Sequence, residues 1–168
     1  MTDQPRTTHA AFPSRLPAGR HAATNRARRG LGKPETFKFL GFVFICGKSR
    51  RGGFLIKRKS PRDRMRTKLR EIKEELQRRR HQPIPETGKW LAQVVSGYFG
   101  YHAVPTNSTA MSASRYHVIV LWHRQLCRRS QRALVVWDRM NKLVDAFIPK
   151  ARVLHPWPNV RFAVRHPR

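Results

Sequence analysis

The fold turns on Phe54-Leu55-Ile56-Lys57-Arg58-Lys59-Ser60-Pro61-Arg62-Asp63. Its first six residues read as a short strand, apolar at the front and basic at the exit. The rest opens a helix. Ser is a preferred N-cap, Pro fits the first helical position, and Asp63 stands where the acid of a capping box belongs. Downstream, Met65, Leu69, Ile72 and Leu76 recur at spacings of four, three and four, which is one narrow helical face. Glu74 with Arg78 and Glu75 with Arg79 are i,i+4 pairs, each contributing about 0.3 kcal/mol. Arg78-Arg79-Arg80-His81 places cations at the negative end of the helix dipole, and Pro83 and Pro85 stop the helix.

Upstream, Phe37-Lys38-Phe39-Leu40-Gly41-Phe42-Val43-Phe44-Ile45-Cys46 is aromatic and β-branched with alternating phenylalanines. Gly41 interrupts the alternation and signals a bulge or a close backbone approach. Gly47 to Gly53 is a basic turn, so 37–60 predicts a β-hairpin with a basic tip and a basic exit. Residues 1–30 show no apolar periodicity and read as disordered or non-native in structure.

Downstream, three more helices are predicted. One covers about 87–101, with Trp90, Leu91, Val94, Val95, Tyr98 and Tyr101 as its apolar face. The next starts near Asn107 or Ser108 and reaches about Arg129, burying Met111, Val118, Leu121, Trp122 and Leu126 and leaving Arg115, Arg124, Arg128 and Arg129 wet. The last covers about 133–148, with Val136, Met140, Leu143 and Phe147 at helical spacing. Pro149 ends it, and a proline-rich tail follows in extended form. The fold class is therefore mainly α: a β-hairpin over 31–60, a three- to four-helix bundle over 61–150, an extended tail over 151–168 and a disordered N-terminus.

Charge limits what this chain can do. Of 168 residues, 36 are Lys or Arg and 9 are Asp or Glu, a formal net charge of +27. Such an excess draws polyanions, nucleic acid first and anionic membrane surface second. Twenty-six of the basic residues are Arg, which suits bidentate phosphate contacts and stacking on bases. Residues 90–114 carry no formal charge, but Gly97, Gly100, Pro105, Asn107 and several Ser and Thr break the run, so no membrane span is expected. No secretory signal opens the chain, and the default location is cytoplasmic. Cys46 and Cys127 lie 81 residues apart without a CxxC pair and read as reduced thiols rather than zinc ligands.

The acids are too few and scattered for catalysis. Two-metal phosphoryl transfer needs several convergent carboxylates. Only Glu74 and Glu75 are adjacent, and they lie beside arginines on a helix. The sequence has no phosphate loop, no His-Glu-x-x-His and no Gly-x-Ser-x-Gly. No catalytic residue, metal site or cofactor is expected. What remains is a polyanion-binding set: Lys48, Arg50, Arg51, Arg58, Lys59, Arg62 and Arg66 first, then Arg115, Arg124, Arg128, Arg129 and Arg132. Phe54, Tyr98, Tyr101, Tyr116 and Trp157 interleave with the basic residues, a mixture suited to irregular or single-stranded RNA.

Several segments, in order, resemble a known family. Phe37-Lys38-Phe39-Leu40-Gly41-Phe42 with Cys46-Gly47-Lys48 resembles the stretch that closes the palm of group II intron-encoded reverse transcriptase/maturases. Arg62 to His81, Pro85-x-x-Gly88-x-Trp90 and Gly97-Tyr98-Phe99-x-Tyr101-x-x-Val104-Pro105-x-Asn107 are similar to their thumb, or maturase-specific, domain. Ser114-Arg115-Tyr116, Leu121-Trp122, Leu126-x-Arg128-Arg129-Ser130-Gln131-Arg132 and Leu154-His155-Pro156-x-Pro158 continue the likeness, which covers about residues 19–165. Residues 1–18 fall outside it.

The resemblance implies an RNA-binding role in splicing and in the mobility of a genetic element. Structured intron RNA and an RNA/DNA template-primer would be the partners. The family's Tyr-x-Asp-Asp motif is absent, so the resemblance implies a truncated RNA-directed DNA polymerase with no activity on its own. The hairpin would be a remnant of the palm, with apolar surface exposed near Phe39, Phe42 and Phe44. Two alternatives are a subunit of a split reverse transcriptase, completed by a separate finger–palm chain, and a general basic nucleic-acid-binding protein.

Overall fold

A computed structural model describes residues 21–31, 36–130, 134–157 and 160. Among them the chain is mainly helical, with one three-stranded antiparallel sheet. The sheet comprises β1 (Phe37–Phe39), β2 (Phe42–Lys48) and β3 (Phe54–Lys59), in that order. The helices are α1 (Ala22–Arg28), α2 (Arg62–Arg78), α3 (Ile84–His102), α4 (Ser108–Cys127) and α5 (Trp137–Phe147).

The single strand expected over 37–46 is divided in two. Phe39 pairs with Phe42 across a two-residue turn, and Leu40 and Gly41 have φ of 43° and 75°. Positive φ at both central residues gives the right-handed twist that a tight hairpin needs. Gly41 is also a close approach: a Cβ there would lie 2.8 Å from Arg64 Nη1 and 3.1 Å from the Tyr101 hydroxyl. β2 and β3 pair from Val43 opposite Lys59 to Lys48 opposite Phe54.

Two expectations about the N-terminal half need correction. Residues 22–28 are helical, not disordered. Local bonds close that helix without an apolar stripe: Gly30 N–H donates to Ala27 O and Leu31 N–H to Arg26 O, with Gly30 at φ 65°. This is a Schellman ending, which periodicity alone does not reveal. Residues 1–20 lie outside the described residues. The second correction concerns Phe42, which is 7% exposed because its ring stacks on Tyr101 at 5.5 Å and meets His102 edge-on. Phe44 is half-buried against Phe37, and Phe39 alone of the three is open, at 51%.

The core lies between the helices. Ile72 and Leu76 of α2 meet Leu91, Val95 and Phe99 of α3, Met111, Val118, Trp122 and Leu126 of α4, and Met140 and Val144 of α5. Leu91, Met111 and Met140 have no solvent exposure, and a side chain so buried contributes about 1.5–3 kcal/mol. Helix α2 packs on α4, and α3 packs on both α4 and α5. Gly88 makes the last contact possible, since a Cβ there would stand 2.6 Å from the Phe147 ring.

Helix ends differ in detail from the sequence expectation. Helix α3 begins at Ile84 rather than 87, because Pro85 suits a first turn as well as it stops the preceding helix. Helix α5 begins at Trp137 rather than 133, with Val136 extended as its N-cap. Glu75 takes both Arg79 (2.6 Å) and Arg78 (3.5 Å), so Arg78 turns away from Glu74. Residues 151–157 of the tail are neither helix nor strand, whereas Val160 is helical rather than extended, and the tail is pinned: Leu154 N–H and His155 N–H both donate to Ala103 O.

Candidate nucleic-acid interface

The strand-to-helix joint is held by the α3–α4 connection. Asn107, with no exposure, donates from Nδ2 to Ser60 Oγ (2.8 Å) and to His102 O (2.9 Å). Its Oδ1 accepts from Ser60 N–H (3.0 Å). Ser60 therefore does not cap α2 with its side chain, and no side-chain cap forms there. Its hydroxyl instead lies 3.0 Å from His102 Nδ1. Burial and then the Arg64 charge hold His102 below its ordinary pKa of 6.5.

One residue along, Thr106 sits at φ 76°, a costly place for a β-branched side chain. Its hydroxyl accepts from Arg58 N–H (2.9 Å) and donates to Arg58 O (3.2 Å). Both backbone groups of Arg58 are thus engaged from α3–α4, which fixes where the Arg58 side chain starts. Burial lowers the pKa of that guanidinium.

The basic residues predicted to bind fall into two groups. The first lies on the sheet and the start of α2. Lys48, Arg50 and Arg51 are exposed around the β2–β3 connection, Arg58 and Lys59 are half-buried at the strand exit, and Arg62 and Arg66 are exposed on α2. Lys57 belongs with them, its side chain lying across Gly47. Arg51 and Arg58 line one groove with Phe54, Ile56, Pro105 and Trp157, about 880 Å³ in volume.

The second group lies at the end of α4. Arg124 and Arg128 are exposed, while Arg129 bonds to Gln82 O in the α2–α3 turn. Arg132 lies outside the described residues. Arg115 is not on a wet face: its Nε donates to Pro149 O (3.0 Å) and Nη2 to Ile148 O (3.4 Å). A cation there meets the negative end of α5 and satisfies carbonyls that the helix leaves unpaired.

Tyr98 is interior rather than a stacking platform, with its ring 4.3 Å from His102 and burial raising its pKa. Tyr101 covers Phe42 and donates its hydroxyl to Leu40 O. Tyr116 (63%), Tyr101 (50%), Trp157 (45%) and Phe54 (38%) are the predicted aromatics left open. The Ser60, His102, Thr106 and Asn107 joint was not visible beforehand. Asn107 reads as an N-cap in sequence, and a positive φ at threonine has no sequence signal.

Among the described residues, no three His, Cys, Asp or Glu gather as a metal site. No helix of the described residues is long and apolar enough to cross a membrane. Comparison with protein-family models, with curated proteins and with solved structures returns no match.

Proposed function

We propose that this chain is an RNA-binding module of the maturase type, the thumb and maturase-specific portion of a group II intron reverse transcriptase/maturase. It binds structured intron RNA and so supports splicing and mobility. The observation that carries the reading is the charge of the sheet and its exit. Residues 37–66 hold Lys38, Lys48, Arg50, Arg51, Lys57, Arg58, Lys59, Arg62, Arg64 and Arg66 against the single acid Asp63. Phosphates meeting such a surface release condensed counterions, so affinity falls steeply with salt. The ordered resemblance along 19–165 gives the RNA its identity.

The test is a filter-binding titration of the purified chain against structured intron RNA at rising salt. Tight binding at low salt with a steep negative slope is the expected result. Absent or salt-independent binding refutes it, and equal affinity for transfer RNA and duplex DNA favours a general basic binding protein instead.

One observation favours a second reading, in which a finger–palm unit completes a reverse transcriptase. Phe39 and Leu40 project from the β1–β2 turn at 51% and 69% exposure, a small apolar surface at the sheet margin. Restored primer extension on mixing with a finger–palm polypeptide would support it.

A further inference from the structure

The groove along β3 combines three properties. Its walls offer two guanidiniums, Arg51 and Arg58, and no acidic residue lines it. Its apolar lining is half-open rather than packed, with Phe54 at 38%, Ile56 at 42% and Trp157 at 45% exposure. Its volume of about 880 Å³ lies in the range of about 300–1,000 Å³ typical of small-molecule sites.

We propose that this groove binds a short unpaired stretch of RNA, with a base stacked against Trp157 and Phe54 and the adjoining phosphates on Arg51 and Arg58. The proposal rests on the RNA-binding reading and sharpens it from structured RNA in general to unpaired nucleotides at one place. Aromatic faces reward an exposed base, and a duplex keeps its bases stacked on one another. Guanidiniums take phosphate oxygens in pairs.

Arg58 is suited to the role because Thr106 fixes its backbone, and because its partly desolvated cation pairs with no acid among the described residues. An unmatched, half-buried cation gains more from an incoming anion than a solvated one does. A polypeptide strand fits less well. Its backbone carries no formal charge, and the backbone bonds that Arg58 could offer it are already made with Thr106.

The experiment uses the full chain, a labelled ten-nucleotide oligouridylate and a ten-base-pair RNA duplex, read by fluorescence anisotropy. Trp157→Ala is expected to weaken oligouridylate binding about 5- to 160-fold, the span of one lost base stack, and to leave duplex affinity unchanged. Trp157→Phe keeps an aromatic face and retains most of the affinity. Arg51→Ala lowers the single-strand salt slope by about 0.7, one phosphate contact. Thermal melts by circular dichroism confirm that each variant stays folded. Unchanged oligouridylate affinity in Trp157→Ala, or an equal loss for both RNAs, overturns the groove proposal while RNA binding stands. A wild-type chain that binds neither RNA overturns both.

Discussion

Asn107 and Ser60, 47 residues apart in sequence, exchange two hydrogen bonds: Asn107 Nδ2 donates to Ser60 Oγ and Asn107 Oδ1 accepts from Ser60 N–H. A third, to His102 O, uses the remaining amide proton of a side chain with no solvent exposure. Asn107→Ala strands the Ser60 N–H, at about 1–3 kcal/mol for an unsatisfied buried group, while the His102 carbonyl keeps the Val104 N–H (2.8 Å). The urea midpoint should fall markedly, whereas an unchanged midpoint would show that the sheet is not held through this residue.

Thr106 separates strain from hydrogen bonding. Its φ of 76° costs about 1–2 kcal/mol that glycine would not pay, and its hydroxyl makes both bonds to Arg58. Thr106→Val keeps the strain and loses the bonds, so it should destabilise by about 1–3 kcal/mol. Thr106→Gly loses the bonds but sheds the strain and should fall nearer the wild type. Denaturation curves that reversed this order would contradict the assignment.

Stability should depend on pH through His102. Its pKa is lowered in the folded chain, so the unfolded chain binds the proton more readily. The contribution is complete above the unfolded value near 6.5 and is lost as pH falls from there toward the folded value. Arg64, Asp63 and Glu71 line the same cleft. Denaturation midpoints between pH 8 and pH 5 should decline, and His102→Gln should flatten that decline. A slope equal in both proteins would remove His102 as its source.

Gly88 and Phe147 set the distance between α3 and α5. Gly88→Ala drives a Cβ into the Phe147 ring and should destabilise by about 1–3 kcal/mol, the usual cost of overpacking. Phe147→Leu should recover part of the loss in the double variant. Strict additivity of the two changes would deny the contact.

Arg115 and Arg128 should behave oppositely, although both are basic residues of the α4 region. Arg128 is exposed, and Arg128→Glu should weaken RNA binding with little effect on the thermal midpoint. Arg115→Ala should lower the midpoint, because two carbonyls at the end of α5 lose their donor, and should leave the salt slope of binding intact. Arg129 is expected to do some of each, given its bond to Gln82 O. The reverse pattern in paired melts and titrations would exchange the roles assigned to Arg115 and Arg128.

The helices were legible where packing obeys periodicity. Leu69, Ile72 and Leu76 of α2 face the core in the order their spacing implies, while Met65, at the start of the stripe, lies outside the core cluster. Helix α1 was not legible, because the local bonds of a glycine ending leave no apolar pattern. The division at Leu40-Gly41 was half legible: the glycine marks a close approach, but a leucine at positive φ does not announce a turn. For the interface, charge placed Arg51, Arg58, Phe54 and Trp157 among many candidates, and only tertiary structure brings those four to one groove. Arg115 misled because a basic residue on a helix looks the same whether it meets water or another helix's carbonyls.

The pairing of Thr106 with Arg58 has a consequence for the margins of the sheet. A phenylalanine-rich meander with two free borders would invite further strands and grow toward fibrils. Here one border, β1, is only three residues long, and on β3 a threonine hydroxyl occupies the N–H and carbonyl that a newcomer would need at Arg58. The same contact that anchors the strand to the helices also closes this edge to a newcomer at Arg58.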